Sequence, residues 1–248
     1  MSKVILITGG SRGIGRAAAV LAGRRGWSVG VNYASNAAAA EETVAAVVAA
    51  GGKALAIAGD VSDEASVIAM FDATEQAFGP LNGVVNNAGI VAPGSSLADM
   101  DLARMKRIFD INVLGAYLCA REAARRMSTS RGGRGGSLVN VSSAAARLGG
   151  PNEYVDYAGS KGAIDTLTIG LSKELGREGV RVNAIRPGLI DTEIHASGGK
   201  PDRAHVLGVQ TPIGRAGTAE EVGESIVWLL SDASSYVTGA ILDVTGGR

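Results

Sequence analysis

Tyr157 and Lys161 stand four residues apart in a stretch that reads as helix, so their side chains share one helical face. A tyrosine beside an ammonium is a candidate proton donor and acceptor. A free phenol has a pKa of about 10, too high for efficient proton exchange at neutral pH, and a neighbouring cation favours the phenolate. Moving the value to about 7 takes roughly 4 kcal/mol, which a cation within a few ångströms in a poorly hydrated cleft can supply. Such a tyrosine suits a reaction that protonates an oxygen while a carbonyl is reduced. Taken alone, the pair is an ordinary feature of a helix surface, so its meaning depends on its surroundings.

A second chemical feature lies near the N-terminus. Thr8-Gly9-Gly10-Ser11-Arg12-Gly13-Ile14-Gly15 follows a strand-like run and opens an alanine-rich helical stretch. A glycine turn at a helix N-terminus offers backbone N–H groups and the positive end of the helix dipole to a phosphate. Gly9 allows the tight turn, Gly13 a close approach of backbone to a pyrophosphate, and Gly15 close packing of helix on strand. The spacing is Gly-x-x-x-Gly-x-Gly, and a purely structural turn is the competing reading. The second strand ends Asn32-Tyr33-Ala34-Ser35-Asn36 with no acid, where a carboxylate would receive the ribose 2′-hydroxyl of NAD. Its absence admits a 2′-phosphate. Arg12 could pair with that phosphate, and Ser35 and Asn36 could donate to it; the bland alternative for Arg12 is a solvated surface charge.

These residues need a scaffold, and the apolar runs supply one. Strands are expected at Val4–Thr8, Ser28–Asn32, Lys53–Ala58, Gly83–Asn86, Ser137–Val141, Arg181–Ile185 and Ala240–Val244, with helix-length segments between them. Alternating strand and helix implies a parallel sheet covered on both faces. Ser62 ahead of Asp63 and Glu64 reads as a helix cap, and Thr218 with Glu221 as a capping box. No linker or repeat divides the 248 residues, so one α/β domain spanning 1–248 is expected. Lys plus Arg equals Asp plus Glu at 24 each, which argues against a nucleic-acid or membrane-surface partner. The Arg-Gly-Gly-Arg-Gly-Gly run within Ser128–Gly136 lacks aromatics for base stacking and reads as a loop. The one cysteine, Cys119, sits in an apolar helical stretch and reads as a buried thiol. No zinc-type spacing exists, and no metal is expected. The chain opens into its first strand without a signal peptide and has no membrane-length apolar run, so a cytoplasmic protein is expected.

Thr8–Gly15, Asn86-Asn87-Ala88-Gly89, Asn112, Ser143, Tyr157-Ala158-Gly159-Ser160-Lys161 and Pro187-Gly188 resemble, in order and spacing, the motifs of the classical short-chain dehydrogenases/reductases. Within that family the chain is similar to bacterial glucose dehydrogenase and 3-oxoacyl-acyl-carrier-protein reductase. The resemblance covers essentially the whole chain. It implies a doubly wound, seven-stranded parallel sheet of Rossmann type, and hydride transfer between NADP(H) and a small carbonyl or secondary alcohol. NADP(H) is expected as the preferred cofactor, with NAD(H) as the alternative.

Residue by residue, the resemblance makes Asn112, Ser143, Tyr157 and Lys161 the catalytic tetrad. Of the adjacent Ser142 and Ser143, the second matches the family motif. Its distance to Tyr157 is one residue longer than in many members, which suggests a small insertion within Pro151–Asp156. The cofactor would meet Gly9, Ser11, Arg12, Gly13, Ile14 and Gly15, then Asn32, Tyr33, Ala34 and Ser35. Asp60 and Val61 would hold the adenine, Asn87, Ala88 and Gly89 would line the cleft, and Pro187, Gly188, Ile190 and Thr192 would form the nicotinamide-side loop. The Ile190 backbone would bond the carboxamide, and Thr192 would approach the phosphates. The tail from Val237 to Gly247 resembles the family's tetramer-forming segment, implying a homotetramer. His195 and His205 fall where the family carries a mobile substrate cover; each reads as a solvated loop residue, with Gly198-Gly199 as a hinge. A regulatory protein of this fold without turnover is the alternative, and the intact tetrad argues against it. An epimerase or dehydratase of the extended family would need a longer chain and a different glycine spacing. The specificity loops Ile90–Asp101 and Glu193–Gln210 carry no diagnostic charge cluster.

Overall fold

The computed structural model describes residues 3–248. Seven strands form one parallel sheet in the order β3-β2-β1-β4-β5-β6-β7. They are β1 (Val4–Ile7), β2 (Ser28–Tyr33), β3 (Lys53–Ala58), β4 (Gly83–Asn86), β5 (Gly136–Val141), β6 (Val180–Pro187) and β7 (Ile241–Val244). All seven expected strands are present, with ends shifted by up to two residues.

The helices are α1 (Gly13–Arg24), α2 (Ala37–Ala49), α3 (Glu64–Phe78), α4 (Leu102–Phe109), α5 (Ala116–Met127), α6 (Ala145–Leu148), α7 (Val155–Leu175), α8 (Ile194–Ser197), α9 (Arg203–Gly208) and α10 (Ala219–Leu230). The apolar runs are continuous because each central strand is buried on both faces. In β1, Val4 and Leu6 face a core with Met70 and Phe71 of α3 and Met127 of α5. Ile5 and Ile7 face the opposite core, with Ala18 and Ala22 of α1 and Ile226 of α10. Strand alternation thus splits one tetrapeptide between two cores. Each such fully buried aliphatic side chain contributes about 1.5–3 kcal/mol.

The strand order turns back between β1 and β4, which run side by side. At such a switch point the connections leave to opposite faces and a crevice opens beyond the strands' C-terminal ends. The glycine turn after β1 and the Asn87 segment after β4 flank it.

Local signals mostly held. Thr218 and Glu221 form the expected reciprocal capping box on α10. At α3 the expectation is corrected: Asp63, not Ser62, caps the helix by accepting from Ser66 N at 2.8 Å. Ser62 is instead held by Asp60, to which its hydroxyl donates at 2.7 Å. The arginine-glycine run is a loop ahead of β5, with Gly132 and Gly135 in left-handed conformations. Cys119 is buried, and burial pushes its thiol up to about 12. Among the described residues no helix is long and apolar enough to cross a membrane.

Candidate active site

The end of β5 and the start of α7 bring the first set of predicted residues together. Tyr157 and Lys161 lie one turn apart on α7, with the Lys161 Nζ 5.7 Å from the centre of the Tyr157 ring. Lys161 is buried and donates to the Val141 carbonyl at 2.8 Å. Ser142 is turned inward, its hydroxyl donating to the Lys161 carbonyl at 3.1 Å. Ser143 is the serine that hydrogen-bonds the Tyr157 hydroxyl, and its oxygen accepts from Ala145 N at 3.1 Å. The connection from Ser143 to α7 is turned by Gly149, Gly150 and Asn152, all with positive φ.

The electrostatics depart from the sequence-based expectation. Burial pushes the Tyr157 phenol up to about 12; the Ser143 hydrogen bond opposes this and Tyr154 adds to it. Burial pulls the Lys161 ammonium down to about 8, against the attraction of Asp165. The low-dielectric setting that strengthens a cation's pull also penalises the phenolate itself, and here desolvation wins. At neutral pH the protein alone therefore keeps Tyr157 protonated, the state a proton donor requires.

Asn112 reaches this group by a device absent from the sequence reading. It sits not in a regular helix but in a wide π-helical turn, Asp110–Gly115, between α4 and α5. Its side chain is fully engaged. Oδ1 accepts from Ile90 N at 2.8 Å. Nδ2 donates to Ile90 O at 2.9 Å and to Ser160 Oγ at 3.2 Å. Gly89 lies between Asn112 and Lys161: a Cβ there would stand 3.3 Å from both Asn112 Oδ1 and Lys161 Nζ.

The glycine turn is braced from two sides. Asn87 Nδ2 donates to the Thr8 and Gly9 carbonyls, both at 2.9 Å, and Thr8 Oγ1 accepts from Asn87 N and Ala88 N, both at 3.0 Å. From the other side Asn32 Oδ1 accepts from Gly9 N at 3.1 Å, while its Nδ2 donates to Ile57 and Gly59 carbonyls. Asn32 is thus a buried brace whose side chain is consumed by the fold, rather than a group facing a ligand. Gly9 and Gly13 have φ of +60° and +52°, and a Cβ on Gly15 would collide with the Gly9 carbonyl.

Helix α1 begins at Arg12 with no side chain capping its first amides. Arg12 itself is exposed, and its side chain makes no hydrogen bond or ion pair among the described residues. The uncapped amides, the absence of acid in the first turn and the glycine cradle fit a phosphate group. Ser11 belongs to the same turn; Tyr33 ends β2, and Ala34 and Ser35 follow it, just past Asn32, whose carbonyl accepts from Gly10 N at 2.8 Å. Asn36 is spent capping α2, accepting from Ala39 N at 3.0 Å. Asp60 follows β3, its carboxyl held below the ordinary carboxylate range chiefly by the Ser62 N–H and hydroxyl, and Val61 is buried against Gly115.

Across the crevice, Thr192 approaches Gly13: a Cβ on that glycine would lie 3.4 Å from the Thr192 methyl. Here the reading of His195 as a solvated loop residue is corrected. The ring is half-buried, and its Nε2 lies 2.8 Å from the Ile190 carbonyl. Burial holds its pKa below the ordinary value. His205 is exposed, 3.3 Å from Asp191.

One cleft of about 500 Å³ runs from Ile14, Asn87 and Thr192 past Ser143, Tyr157 and Lys161 to a wall of Tyr154, His195 and Arg203. That volume accommodates a small organic ligand. Residues 9–248 match the family model described as enoyl-(acyl carrier protein) reductase. The chain is 53% identical to the uncharacterized oxidoreductase YgfF of Escherichia coli, over 99% of both chains. It belongs to the short-chain dehydrogenase/reductase family. L-rhamnose 1-dehydrogenase (NAD(P)(+)) of Sphingomonas is 39% identical over 99% of this chain and 95% of its own. The crystal structure of levodione reductase superposes with a TM-score of 0.92 at 33% identity, covering 99% of this chain and 96% of that one. This short-chain dehydrogenase/reductase is accordingly an oxidoreductase of the class that interconverts alcohols and carbonyls.

The wall opposite the glycine turn is where sequence reasoning was silent. Glu153, Tyr154, Lys200 and Arg203 line it. Glu153 stands four residues before Tyr157, a placement that carries no signal without Arg203, its partner 50 residues away.

Proposed function

We propose that this protein is an NADP(H)-preferring reductase of a small carbonyl compound, acting reversibly on the corresponding secondary alcohol, with Tyr157 as its acid/base. The observation that carries the reading is the placement of a protonated, Ser143-bonded phenol in the same cleft as an uncapped glycine turn. When bound, the cofactor supplies or accepts the hydride and, in its oxidised form, a positive ring that favours the phenolate.

The chain's own residues do the rest. The Ser143 hydroxyl positions the substrate oxygen, and Tyr157 delivers its phenolic proton to that oxygen as the carbonyl carbon is reduced. The Lys161 ammonium stabilises the phenolate left behind. Asn112 fixes Ile90 and Ser160 beside the lysine, so that protons reach Lys161 from a held geometry. Gly9, Gly13 and Ile14 offer the pyrophosphate site with Thr192 beside them. Asp60 and Val61 flank the adenine position, and Asn87, Ala88 and Gly89 line the floor. Pro187, Gly188 and Ile190 form the nicotinamide side; since His195 occupies the Ile190 carbonyl, a carboxamide contact there falls to the N–H. Arg12, unpartnered beside the acid-free Tyr33-Ala34-Ser35 segment, takes the 2′-phosphate.

The test is an absorbance screen of sugars, cyclic ketones and acyl thioesters with NADPH and NADH. Turnover of a carbonyl class with NADPH is expected; tight cofactor binding with no turnover of any class would refute the reading. We further infer a homotetramer. Phe109, Leu114, Tyr117 and Ile169 expose 42–51% of their surface, and Leu242 lies on the edge strand β7; exposed apolar faces and sheet edges call for cover. A monomer by light scattering at micromolar concentration would contradict it.

A further inference from the structure

Helices α8 and α9 cover the open side of the cleft, joined through Gly198 and Gly199, the latter at φ +77°. From the start of α9, Arg203 reaches back to the residues just ahead of the catalytic helix. Its Nη1 donates to Glu153 Oε1 at 2.8 Å and its Nη2 to the Tyr154 hydroxyl at 2.8 Å. Nη2 also lies 2.7 Å from Glu153 Oε2. Lys200 adds a contact to Glu153 Oε1 at 2.6 Å. The guanidinium sits 5.3 Å from the centre of the Tyr154 ring. That ring meets the Tyr157 ring edge-on, at 5.8 Å and 90°. An unbroken line of contact therefore joins the cover to the phenol that moves the proton.

The same short segment is held on its other side by a different arginine. Arg104 of α4 forms a two-pronged pair with buried Asp156, at 2.9 and 3.3 Å, and bonds the Glu153 and Pro93 carbonyls. Asp156 in turn accepts from Tyr157 N at 2.9 Å. Residues 153–157 are thus gripped between a brace from the body of the fold and a clasp from the cover.

We propose that Arg203 is a positioning residue: by pairing with Glu153 and bonding the Tyr154 hydroxyl, it closes the cover over the substrate and seats the Tyr157 ring. The proposal rests on Tyr157 being the acid/base. The clasp is charged throughout the working range, because Arg203 and Lys200 hold the Glu153 carboxyl down at about 2. The guanidinium's planar fork suits it to grip a carboxylate and a phenol together, which a lysine ammonium cannot reproduce.

The test compares Arg203→Met, Arg203→Lys and Tyr154→Phe with the parent enzyme. Misplacement of a catalytic group by about 1 Å can lower turnover about a hundredfold. For Arg203→Met we expect kcat to fall about tenfold or more and KM for the carbonyl to rise, with cofactor affinity unchanged. The groups facing the Tyr157 phenol are Ser143, Tyr154 and Lys161, with Asp165 behind the lysine. Opening the cover wets that phenol, so the limb of the kcat–pH profile set by Tyr157 moves to lower pH. Tyr154→Phe keeps the ring contact and loses the clasp bond, giving a smaller change of the same kind, and Arg203→Lys rescues in part. A raised KM with kcat and pH profile unchanged would mean a cover that only binds substrate, and would overturn the proposal. Hydrogen exchange gives a substrate-free reading: Arg203→Met is expected to speed exchange in both 194–208 and 154–157, and an effect confined to 194–208 would overturn it. Tyr157→Phe is the control that separates the two readings. If that variant turns over, the acid/base assignment falls; if it is dead while Arg203→Met keeps the parent's kcat, only the clasp falls.

Discussion

Replacing Ser143 by alanine, with Ser142→Ala as its neighbour control, separates chemistry from packing at adjacent hydroxyls. Ser143 bonds the Tyr157 hydroxyl, so its loss removes a donor aimed at the reacting oxygen. Deleting one such preorganised donor lowers kcat about a hundredfold to a thousandfold, or about 2.7–4 kcal/mol. The Ser143 bond also holds the phenol down against burial, so without it the Tyr157-governed limb of the kcat–pH profile moves to higher pH. Ser142 is 2% exposed and donates to the Lys161 carbonyl at 3.1 Å. Its loss removes one buried hydrogen bond, at about 0.5–1.5 kcal/mol of stability, while the Lys161 carbonyl keeps its helical partner within α7. In a chain of this length each kcal/mol shifts Tm by about 2–4 °C. The expected pattern is therefore a slow but stable Ser143→Ala and a less stable Ser142→Ala with near-parent kcat. Steady-state cofactor absorbance across pH and thermal melting by circular dichroism read the two effects. A damaged kcat in Ser142→Ala with an intact Ser143→Ala would refute the assignment.

Tyr157→Phe removes the phenolic hydroxyl, and with it the transferable proton, and is expected to abolish turnover while leaving the Kd for NADPH nearly unchanged; near-parent turnover of the purified variant would sink the acid/base role. Arg12→Ala is expected to raise KM for NADPH about tenfold to a hundredfold, the equivalent of 1.5–3 kcal/mol in a charge-assisted bond. KM for NADH should stay put, and equal effects on the two cofactors would show that Arg12 does not read the 2′-phosphate. Asp156→Asn strips Arg104 of its partner. Breaking a buried pair costs about 3–5 kcal/mol, reduced to about 2–4 because the Arg104 side chain is 16% exposed. Burial would raise the Asp156 carboxyl, but Arg104 and the Tyr157 N–H outweigh it and hold it below its ordinary 3.8. That stabilisation is full above pH 3.8 and is lost as pH falls through and below it. Urea titrations should therefore show parent and Asp156→Asn converging in acid, and a gap that persists at low pH would exclude the mechanism.

The five central strands were legible because burial on both faces leaves an uninterrupted apolar run, and a run's length is enough to mark it. The glycine turn was legible because Gly9 and Gly13 must take positive φ there. Cap identity at α3 was not, since Ser62 and Asp63 have equal chemical claims and only the path of the chain past Asp60 decides between them. The His195–Ile190 bond depends on how the cover folds back. The pairs Arg104–Asp156 and Arg203–Glu153 join residues 52 and 50 positions apart, a distance over which local pattern carries no information. The Tyr157 environment was misjudged in sign because charge partners can be read from spacing, whereas desolvation requires the finished cavity.

The wide turn at Asp110–Gly115 has a genetic consequence. A π-turn holds a surplus residue that the flanking helices need not share, so α4 still buries Ile108 and α5 still buries Cys119, Ala120 and Ala123. Loss of one codon within 110–115 would close the bulge into a regular turn while leaving both helices in phase with their cores. The folded body would survive; the seat that holds Asn112 against Ile90 and Ser160 would not. On the proposed reading of Asn112, a duplicated copy of this chain has a one-codon route to silence, and a gap at this place in a genome would mark a descendant that keeps the architecture after giving up the reaction.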